Sequence, residues 1–399
     1  MNRLAVLGAG LMGEGIAAVS LALCPVTVRD VSEQALSRAA ENLNRGLEGR
    51  VRSGALSPID CTRQLSNLHL TPSMSEIAAS DLVIEAVFED LDLKRRVLRE
   101  AEELLSADAV YASNTSAIPI SLIAEGSLHP ERIVGMHYFS PVPKMPLLEL
   151  VVPAQAAPWA VAKARSFGIA QGKTVIVVRD GPGFFTTRIL SVYLNEAMLL
   201  LEEGLGVSEI DDALLAFGFP VGPLALLDEV GIDVGAHVSH EMSEAFPGRG
   251  LDPPASLRKL VDAHWLGRKS GRGFYLHPAG GVKGAKRDVN PALRSHLGLS
   301  SGTSRSAEEI VDRLVLLFVN EAIHCLGEGV IASARDGDVG AVLGLGFPPF
   351  RGGPFRHADA LGAERVRARL EQLTVTHGIR FRPAPLLEKP GAFPFHPPS

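Results

Sequence analysis

One histidine and one glutamate of this sequence lie in otherwise apolar, strand-like segments. His137 ends the apolar segment 133–137, and Glu149 interrupts the apolar segment 147–152. Histidine has the unperturbed pKa nearest neutrality, so it can take a proton from a hydroxyl group, and such a base needs an acid on its other ring nitrogen. A carboxylate in an apolar strand is costly to bury unless it is paired. The two residues are candidates for acid–base chemistry; the alternative is a satisfied core histidine and a solvated glutamate.

Other polar side chains follow two further predicted strands. The segment Ser113–Ser116 could hydrogen-bond a substrate oxygen or a nicotinamide amide, or it could cap the helix before Pro119. Glu89 and Lys94 could line a cofactor groove, or they could form an ion pair on an exposed helix face. Ligands of open α/β sheets bind beyond the carboxyl ends of the strands, where these residues are predicted to lie together with His137.

The N-terminal segment predicts the cofactor. A strand at 4–7 runs into Gly8-x-Gly10-x-x-Gly13 and a helix, and a second strand leads to Asp30. This is the dinucleotide fingerprint in its required context, with the pyrophosphate on the helix N-terminus. Asp30 can accept a hydrogen bond from a ribose 2′-OH and would repel a 2′-phosphate, which favours NAD over NADP, although Arg29 is adjacent. The alternative is a glycine-rich turn that binds nothing. The residues predicted to contact the dinucleotide here are Gly8, Gly10, Leu11, Met12, Gly13 and Asp30.

Short apolar strands alternate with helical stretches up to about residue 180, which predicts a mostly parallel sheet covered on both faces. Residues 31–75 exceed a simple crossover and predict an inserted helical hairpin, broken near Ser57-Pro58. The remainder is predicted to be helical. The fold class is therefore an α/β Rossmann-like N-terminal domain followed by two similar all-helical domains.

An internal repeat supports the two helical domains. Asn195-Glu196-Ala197 recurs as Asn320-Glu321-Ala322, and Gly218-Phe219-Pro220 recurs as Gly346-Phe347-Pro348. A Ser/Gly-rich linker separates the copies, and a proline-rich segment predicted to be extended and partly mobile follows them. The predicted boundaries are 1–180 for the α/β domain, 181–297 and 305–380 for the helical copies, and 381–399 for the tail.

Composition excludes several classes of partner. The 399 residues have 46% hydrophobic and 21% charged content and a net charge of −6, which disfavours nucleic acid or an anionic membrane. The three cysteines are far apart and form no CxxC pair, so a reducing compartment and no disulfide framework are predicted. The sequence shows no signal peptide and no apolar run of roughly 18 residues, so we expect a cytoplasmic protein.

His237, His240, Glu241 and Glu244 have a spacing that could suit a metal, but an amphipathic helix is the better interpretation, and no metal is expected. A small basic cluster, Lys283, Lys286 and Arg287, is typical of solvated surface.

These stretches together resemble the L-3-hydroxyacyl-CoA dehydrogenases of fatty-acid β-oxidation. The second copy is similar to the dehydrogenase half of the multifunctional β-oxidation α-subunit, whose enoyl-CoA hydratase half has no counterpart here. The resemblance covers roughly 1–380. The segments that carry it are 8–13, 85–87, 112–116, 135–139, 141–143, 182–184, 222–223, 271–275, 344–350 and 352–353.

The resemblance implies roles for individual residues. His137 would take the 3-hydroxyl proton and Glu149 would orient it and stabilise its cation. Ser116 would bind the substrate oxygen and contact the cofactor. The inserted hairpin would lie near the CoA moiety. The residues that it assigns to the NAD site, in addition to the fingerprint, are Asp30, Glu89, Lys94 and, with a weaker match, Lys269.

Two positions depart from the family pattern. Ser140 and Thr187 stand where the family usually has asparagines, which contact cofactor or substrate in the family. A hydroxyl keeps one donor but loses amide reach, and one polar contact is typically worth ~0.5–1.5 kcal/mol. We therefore retain Ser140 as a cofactor contact and Thr187 as a substrate contact, with weakened activity or a changed substrate as the consequence.

The expected function is NAD-dependent interconversion of (S)-3-hydroxyacyl-CoA and 3-oxoacyl-CoA. Two alternatives stay open: a reductive 3-hydroxybutyryl-CoA dehydrogenase in a biosynthetic route, and a weakly active nucleotide-binding scaffold. The expected partner is an acyl-CoA substrate, with a homodimer or association with other β-oxidation enzymes as the assembly.

Overall fold

The computed structural model describes residues 3–278, 288–300, 302, 304–389 and 391–396. It divides the chain into two compact units, Met1–Phe184 and Phe185–Ser399. The predicted basic cluster of Lys283, Lys286 and Arg287 lies outside the described residues.

The described part of the N-terminal unit contains a sheet of eight strands in the order β3-β2-β1-β4-β5-β6-β7-β8. Every neighbouring pair is parallel except β6 and β7, so the predicted mostly parallel sheet is confirmed. The strands are β1 Leu4–Leu7, β2 Val26–Arg29, β3 Leu68–Thr71, β4 Leu82–Glu85, β5 Val110–Ser113, β6 Ile133–Tyr138, β7 Leu147–Val152 and β8 Thr174–Arg179.

Strand β3 was absent from the sequence prediction. It is only 4 residues long, lies at the edge of the sheet beside β2, and carries the exposed His69 at its second position. A short edge strand that buries little lacks the apolar run on which the other strands were recognised.

Six helices accompany this sheet within the described part of the unit. The predicted hairpin is confirmed as two helices, with the second beginning at Pro58 after Ser57, whose Oγ accepts a hydrogen bond from Asp60 N at 3.0 Å. Serine as the cap and proline in the first turn explain why the second helix begins there. The helices are α1 Leu11–Ser20, α2 Glu33–Arg52, α3 Pro58–Ser66, α4 Leu91–Glu102, α5 Ile120–Ile123 and α6 Pro158–Ala170.

One face of the sheet packs its apolar residues into a core shared with α1, α2 and α6. Val6, Ile84 and Val134 contribute from the strands, and Ile16 and Phe167 from the helices. Because side chains alternate across a strand, the residues between these point to the opposite face. The candidate catalytic residues belong to that opposite face.

The C-terminal unit is helical, and its helices follow the same order twice. Helices α7 to α10 correspond to α13 to α16, as the sequence repeat predicts. Their division into two separate domains stays a prediction. The helices are α7 Thr186–Glu202, α8 Val207–Phe217, α9 Pro223–Val230, α10 Ile232–Ala245, α11 Ala255–Asp262, α12 Leu293–Leu297, α13 Ala307–Gly327, α14 Ala334–Leu345, α15 Pro354–Leu361 and α16 Ala363–His377.

The repeat extends beyond residue 380. In the first copy, Asp228 accepts hydrogen bonds from the backbone N–H groups of Phe274 and Tyr275. In the second copy, Asp359 accepts them from Phe395 and His396, at 2.7 and 3.0 Å.

The predicted extended tail therefore needs correction. Within the described residues, 381–396 includes the short 3-10 helix Pro385–Glu388 and ends in the contacts with Asp359. The segment is rich in proline, but two of its backbone N–H groups donate to the half-buried Asp359, the counterpart of Asp228.

Two crossed ion pairs join α7 to α13. Arg188 Nε lies 2.5 Å from Glu321 Oε1, and Arg313 Nε lies 2.7 Å from Glu196 Oε1. All four side chains are buried. Each helix supplies the arginine of one pair and the glutamate of the other, and corresponding residues are 125 positions apart.

Candidate active site

The histidine and the glutamate that the sequence singled out are in contact. The antiparallel pairing of β6 and β7 places His137 directly opposite Glu149, and His137 Nδ1 lies 2.9 Å from Glu149 Oε2. Glu149 is 0% exposed and His137 is 5% exposed, so the interpretation of Glu149 as a solvated strand residue is wrong. A neutral imidazole that donates Nδ1–H to the carboxylate keeps Nε2 as a proton acceptor.

Two aromatic rings surround the imidazole. The ring centroid of Phe139 is 4.6 Å from that of His137, and the centroid of Phe184 is 6.1 Å away. Apolar walls lower the local dielectric constant, which strengthens the interaction between the imidazole and the carboxylate.

The glycine-rich turn fits a dinucleotide. Gly8 has φ +105°, and a Cβ on Gly13 would lie 1.9 Å from Gly8 O, so close packing of strand and helix excludes any side chain there. A Cβ on Gly10 would meet no atom within 4 Å, so this position faces open space. Helix α1 begins after Gly10 without a side-chain cap, which leaves its first N–H groups for an anion. Leu11 is 72% exposed and Met12 is half-buried in the same first turn.

Asp30 is tied to this turn. Its Oδ2 accepts a hydrogen bond from Ala9 N and its Oδ1 accepts one from Ser32 N, both at 2.8 Å. The adjacent Arg29 donates from Nε to Pro72 O at 3.2 Å, which holds that guanidinium to the β3 side of the sheet. The acid next to the turn therefore dominates the local charge, which supports selection against a 2′-phosphate.

Lys94 is buried between two carboxylates. Its Nζ lies 2.9 Å from Glu85 Oε1 and 3.2 Å from Glu89 Oε2, and its side chain is 1% exposed. Burial alone would lower the pKa of Lys94, but the two carboxylates outweigh burial and raise it. Burial likewise opposes the ionisation of Glu89, yet Lys94 and hydrogen bonds from residues 115 and 116 hold the Glu89 pKa below its usual value. The predicted ion pair exists, but the expectation of an exposed helix face for it is wrong for Lys94.

The segment Ser113–Ser116 is held by the same carboxylates. Ser113 Oγ donates to Glu85 Oε2 at 2.7 Å, and Ser116 N donates to Glu89 Oε1 at 2.9 Å. Thr115 Oγ1 donates to Glu89 Oε1 at 2.6 Å and accepts from Ile118 N at 3.0 Å. Helix α5 begins only at Ile120 and has no side-chain cap, so the interpretation of this segment as a helix cap is wrong.

Two residues of this region were not singled out individually by the sequence, although Asn114 belongs to the predicted segment Ser113–Ser116. Glu85 is 0% exposed at the end of an apolar strand, which is the same signal that identified Glu149. Asn114 accepts a hydrogen bond at Oδ1 from Tyr138 N at 2.9 Å, which joins the polar segment to the residue after His137. No property of the sequence distinguishes Asn114 from its polar neighbours.

The remaining predicted site residues are Ser140, Thr187 and Lys269. Ser140 is exposed two residues beyond Tyr138. Thr187 and Lys269 belong to the C-terminal unit, where Lys269 Nζ lies 2.5 Å from Asp233 Oδ1. Their roles in cofactor or substrate binding stay predictions.

Neither a metal centre nor a membrane span emerges from the described residues. No group of three or more histidine, cysteine, aspartate or glutamate side chains there has a metal-binding arrangement. None of the helices in the described ranges combines the length and the apolar character that crossing a bilayer requires.

Two family models match consecutive parts of the chain. The NAD binding domain of 3-hydroxyacyl-CoA dehydrogenase matches residues 3–181, and the C-terminal domain of 3-hydroxyacyl-CoA dehydrogenase matches residues 183–277. The boundary between the matches lies close to the end of the N-terminal unit.

Individual relatives agree with these models. The fatty acid oxidation complex subunit alpha of Shewanella amazonensis is 45% identical over 385 residues, which cover 96% of this chain and 54% of that protein. The chain thus spans about half the length of the curated relatives that it matches.

Solved structures show the same similarity. The 3-hydroxybutyryl-CoA dehydrogenase of Escherichia coli K12 matches with a TM-score of 0.83 and 28% identity, over 97% of both chains. Mycobacterium tuberculosis FadB2 matches with a TM-score of 0.67 and 37% identity, over 70% of this chain and 99% of its own.

Proposed function

Because this chain belongs to the 3-hydroxyacyl-CoA dehydrogenase family and its N-terminal unit is an NAD-binding domain of that family, we propose that it oxidises (S)-3-hydroxyacyl-CoA to 3-oxoacyl-CoA, reversibly and with NAD. The contact between His137, at the carboxyl end of β6, and Glu149, on the antiparallel β7, carries the proposal. A histidine and a carboxylate in an apolar pocket form a suitable acid–base pair for alcohol oxidation.

The proton and the hydride leave the substrate in different directions. NAD, when bound, supplies the acceptor for the hydride from C3. Neutral His137 accepts the proton of the 3-hydroxyl group at Nε2 and becomes an imidazolium. Glu149, 2.9 Å from Nδ1, stabilises that cation and fixes the tautomer that can accept the proton. In the reverse direction His137 returns the proton to the 3-oxo oxygen.

Other residues of the N-terminal unit hold the ligands in this proposal. The first turn of α1 binds the pyrophosphate, and Asp30 binds the 2′-OH of the adenosine ribose. Ser116 binds the substrate oxygen. Glu89 holds the Ser116 backbone in place by accepting a hydrogen bond from the Ser116 N–H group. Ser140 and Lys269 are proposed as cofactor contacts and Thr187 as a substrate contact.

The decisive experiment measures NADH oxidation with acetoacetyl-CoA and with longer 3-oxoacyl-CoAs. Loss of general-base catalysis in His137→Ala is expected to lower kcat by about 10²-fold or more, with a comparable loss in Glu149→Gln. His129→Ala is the matched control, because His129 is half-exposed and lies 3.3 Å from the half-exposed Glu131. Full turnover in His137→Ala would exclude the proposed role of this residue.

The same assay tests the cofactor and the alternatives. NADH is expected to be preferred over NADPH because of Asp30. Activity confined to acetoacetyl-CoA would favour a 3-hydroxybutyryl-CoA dehydrogenase, the activity named for the E. coli neighbour. Tight NADH binding without turnover of any acyl-CoA would favour the nucleotide-binding scaffold, for which Ser140 and Thr187 are the supporting features.

The metabolic role of the protein, its location and its assembly are also part of the proposal. Similarity to a fatty acid oxidation complex subunit supports a role in fatty-acid β-oxidation in the cytoplasm, in association with other enzymes of that route or as a homodimer. Copurification of this chain with a hydratase or thiolase activity would test the association.

A further inference from the structure

We propose that Asn114 is a further cofactor-binding residue, which donates a hydrogen bond from its side-chain amide to the carboxamide oxygen of the nicotinamide. This inference rests on the proposed NAD-dependent function. It deepens that function by assigning a residue to the reactive half of the cofactor.

The orientation of the Asn114 side chain is fixed by the backbone. Its Oδ1 accepts a hydrogen bond from Tyr138 N at 2.9 Å, and because an N–H group can only donate, the oxygen and not the nitrogen must face Tyr138. The residue is 9% exposed, so its amide has little freedom to turn. The Nδ2 group therefore points away from β6 in a defined direction.

The Nδ2 group is available to a ligand. It makes no hydrogen bond within the part of the chain that the structure describes, and it is not sealed from solvent. An amide nitrogen carries two hydrogens, and buried polar side chains usually have partners. Asn114 thus combines a fixed oxygen with an unused donor in a largely buried position.

The place of Asn114 in the sheet suits the nicotinamide half of the cofactor. The glycine turn follows β1 and His137 lies on β6, and strands β4 and β5 stand between them. Adjacent strands are about 4.8 Å apart, so the turn and the histidine are separated by about 14 Å across the sheet. A dinucleotide with its pyrophosphate on the turn and its reactive ring beside His137 must cross the ends of β4 and β5. Asn114 lies at that crossing, because it follows β5 directly and its N–H donates to Glu85 O at the end of β4.

The chemistry of the carboxamide matches this donor. Its oxygen is a hydrogen-bond acceptor, and fixing it would set the rotation of the ring relative to His137. The neighbouring hydroxyl groups of Ser113 and Thr115 donate to Glu85 and Glu89, so those protons are already committed. Among the side chains of Ser113, Asn114 and Thr115, the amide of Asn114 alone keeps its donors for a ligand.

The test uses Asn114→Asp and Asn114→Ala in the full chain. Aspartate keeps an oxygen for the Tyr138 N–H group but replaces the amide nitrogen by an acceptor, whereas alanine removes both. Gln372→Glu on α16 is the matched control for the added charge, because Gln372 is exposed and accepts a hydrogen bond from Arg369 on its own helix. Thermal unfolding of each variant establishes that it is folded.

Binding of NADH, followed by its fluorescence, gives a readout independent of turnover. Loss of one hydrogen bond is expected to weaken NADH binding by about threefold to tenfold in both variants, with little change in Gln372→Glu. Binding of ADP-ribose, which lacks the nicotinamide, is expected to be unchanged. The thionicotinamide analogue of NADH, whose sulfur is a weak acceptor, is expected to bind less tightly than NADH to the original chain and equally to Asn114→Ala.

Three outcomes would overturn the inference. The first is unchanged NADH binding in folded Asn114→Asp; the second is an equal loss of NADH and ADP-ribose binding, which indicates a general structural role. The third is a change in the KM for acetoacetyl-CoA alone, which would assign the donor to the substrate. Failure of the original chain to bind NADH would instead overturn the proposed function itself, so the two failures are distinguishable.

Discussion

Two buried carboxylates of the N-terminal unit each stabilise a basic partner. Glu149 faces His137, which must gain and lose a proton during the proposed reaction, whereas Glu85 faces Lys94, whose charge is permanent at neutral pH because its pKa is raised. The first pair serves proton transfer, and the second holds the ends of β4 and β5 and the start of α4 together. A carboxylate in an apolar strand thus has two different uses within the same sheet.

Glu85→Gln is expected to destabilise the protein strongly. It removes one of the two carboxylates that face a lysine which is 1% exposed. Breaking a buried ion pair from one side typically costs about 3–5 kcal/mol, and because Glu89 stays 3.2 Å from Lys94 we expect the lower end, about 3 kcal/mol. Urea unfolding measures the change. Glu125→Gln is the control, because Glu125 pairs with Arg95 but is 68% exposed, and its loss is expected to cost ~0.5 kcal/mol. Similar costs for the two variants would contradict the argument from burial.

At the residue scale, the sequence predicted the contact between His137 and Glu149 better than it predicted the hydrogen bonds that Glu85 and Asn114 make between strands. His137 and Glu149 were predicted as partners because each is anomalous in an apolar segment, and their contact confirms it. Glu85 gives the same signal but was not singled out, and the sequence named Asn114 only as one of four polar residues that could contact a ligand. A hydrogen bond between a side chain and the backbone of a neighbouring strand depends on strand order, which spacing along the chain does not reveal.

At the scale of elements, the two helical copies begin their third helices in the same way. Asp211 accepts a hydrogen bond from Leu224 N at the start of α9, and Asp338 accepts one from Phe355 N at the start of α15. A carboxylate at a helix N-terminus is stabilised by the free N–H groups. Burial nevertheless dominates, and it raises the pKa of both aspartates to about 6.

Asp338→Asn is expected to flatten the pH dependence of stability. Because the folded-state pKa of Asp338 is about 6, the folded state keeps a proton that the unfolded state has lost above pH about 4. Protonated Asp338 therefore adds to the free energy of unfolding at low pH. This contribution, about 2–3 kcal/mol, is lost as the pH rises from about 4 to about 6. Asparagine does not titrate, so the Asp338→Asn variant is expected to lack this pH-dependent loss of stability.

Urea unfolding at pH 4.5 and pH 7 provides the measurement for Asp338→Asn. The difference in stability between these pH values is expected to be smaller in the variant than in the original chain. Asp336→Asn, on the same helix but half-buried, should leave the difference unchanged. An equal pH dependence in the original chain and Asp338→Asn would disprove the contribution.

Most elements were predictable, and the failures have a common cause. The strand-like segments 4–7, 133–137 and 147–152 agree with β1, β6 and β7 within one residue. Strand β3 and the contacts of residues 395–396 were not, because each depends on a partner distant in sequence: β2 for the strand and Asp359 for the C-terminal segment.

At the scale of the whole chain, different interactions stabilise the two units. The sheet and its apolar core hold the N-terminal unit together. In the C-terminal unit, the crossed pairs Arg188–Glu321 and Arg313–Glu196 link the first copy of the repeat to the second. A buried ion pair contributes less by net attraction than by penalising any arrangement that leaves one partner alone.

Arg313→Met is expected to lower the free energy of unfolding of the C-terminal unit by about 3 kcal/mol, because it removes one of the two arginines that pair with the buried Glu196. The cost is at the lower end of the range for a broken buried pair, since Arg380 Nε stays 2.7 Å from Glu196 Oε2. Glu196→Gln in the same variant should restore part of that loss, since neighbouring substitutions are not additive. Arg367→Met is the control at an exposed pair on α16. A double variant as unstable as the sum of the two single variants would show that the residues do not interact.

Because β7 runs antiparallel to β6, the proposed chemistry depends on the register of these two strands, and therefore on the length of the loop that joins them. His137 meets Glu149 only in the observed register, and moving β7 by one position would turn the carboxylate to the other face and bring Leu148 or Leu150 opposite the imidazole. Insertions in the loop 139–146 are therefore expected to fall into two classes. Those that the loop absorbs would preserve turnover, and those that slide the strand would abolish it while leaving the sheet intact.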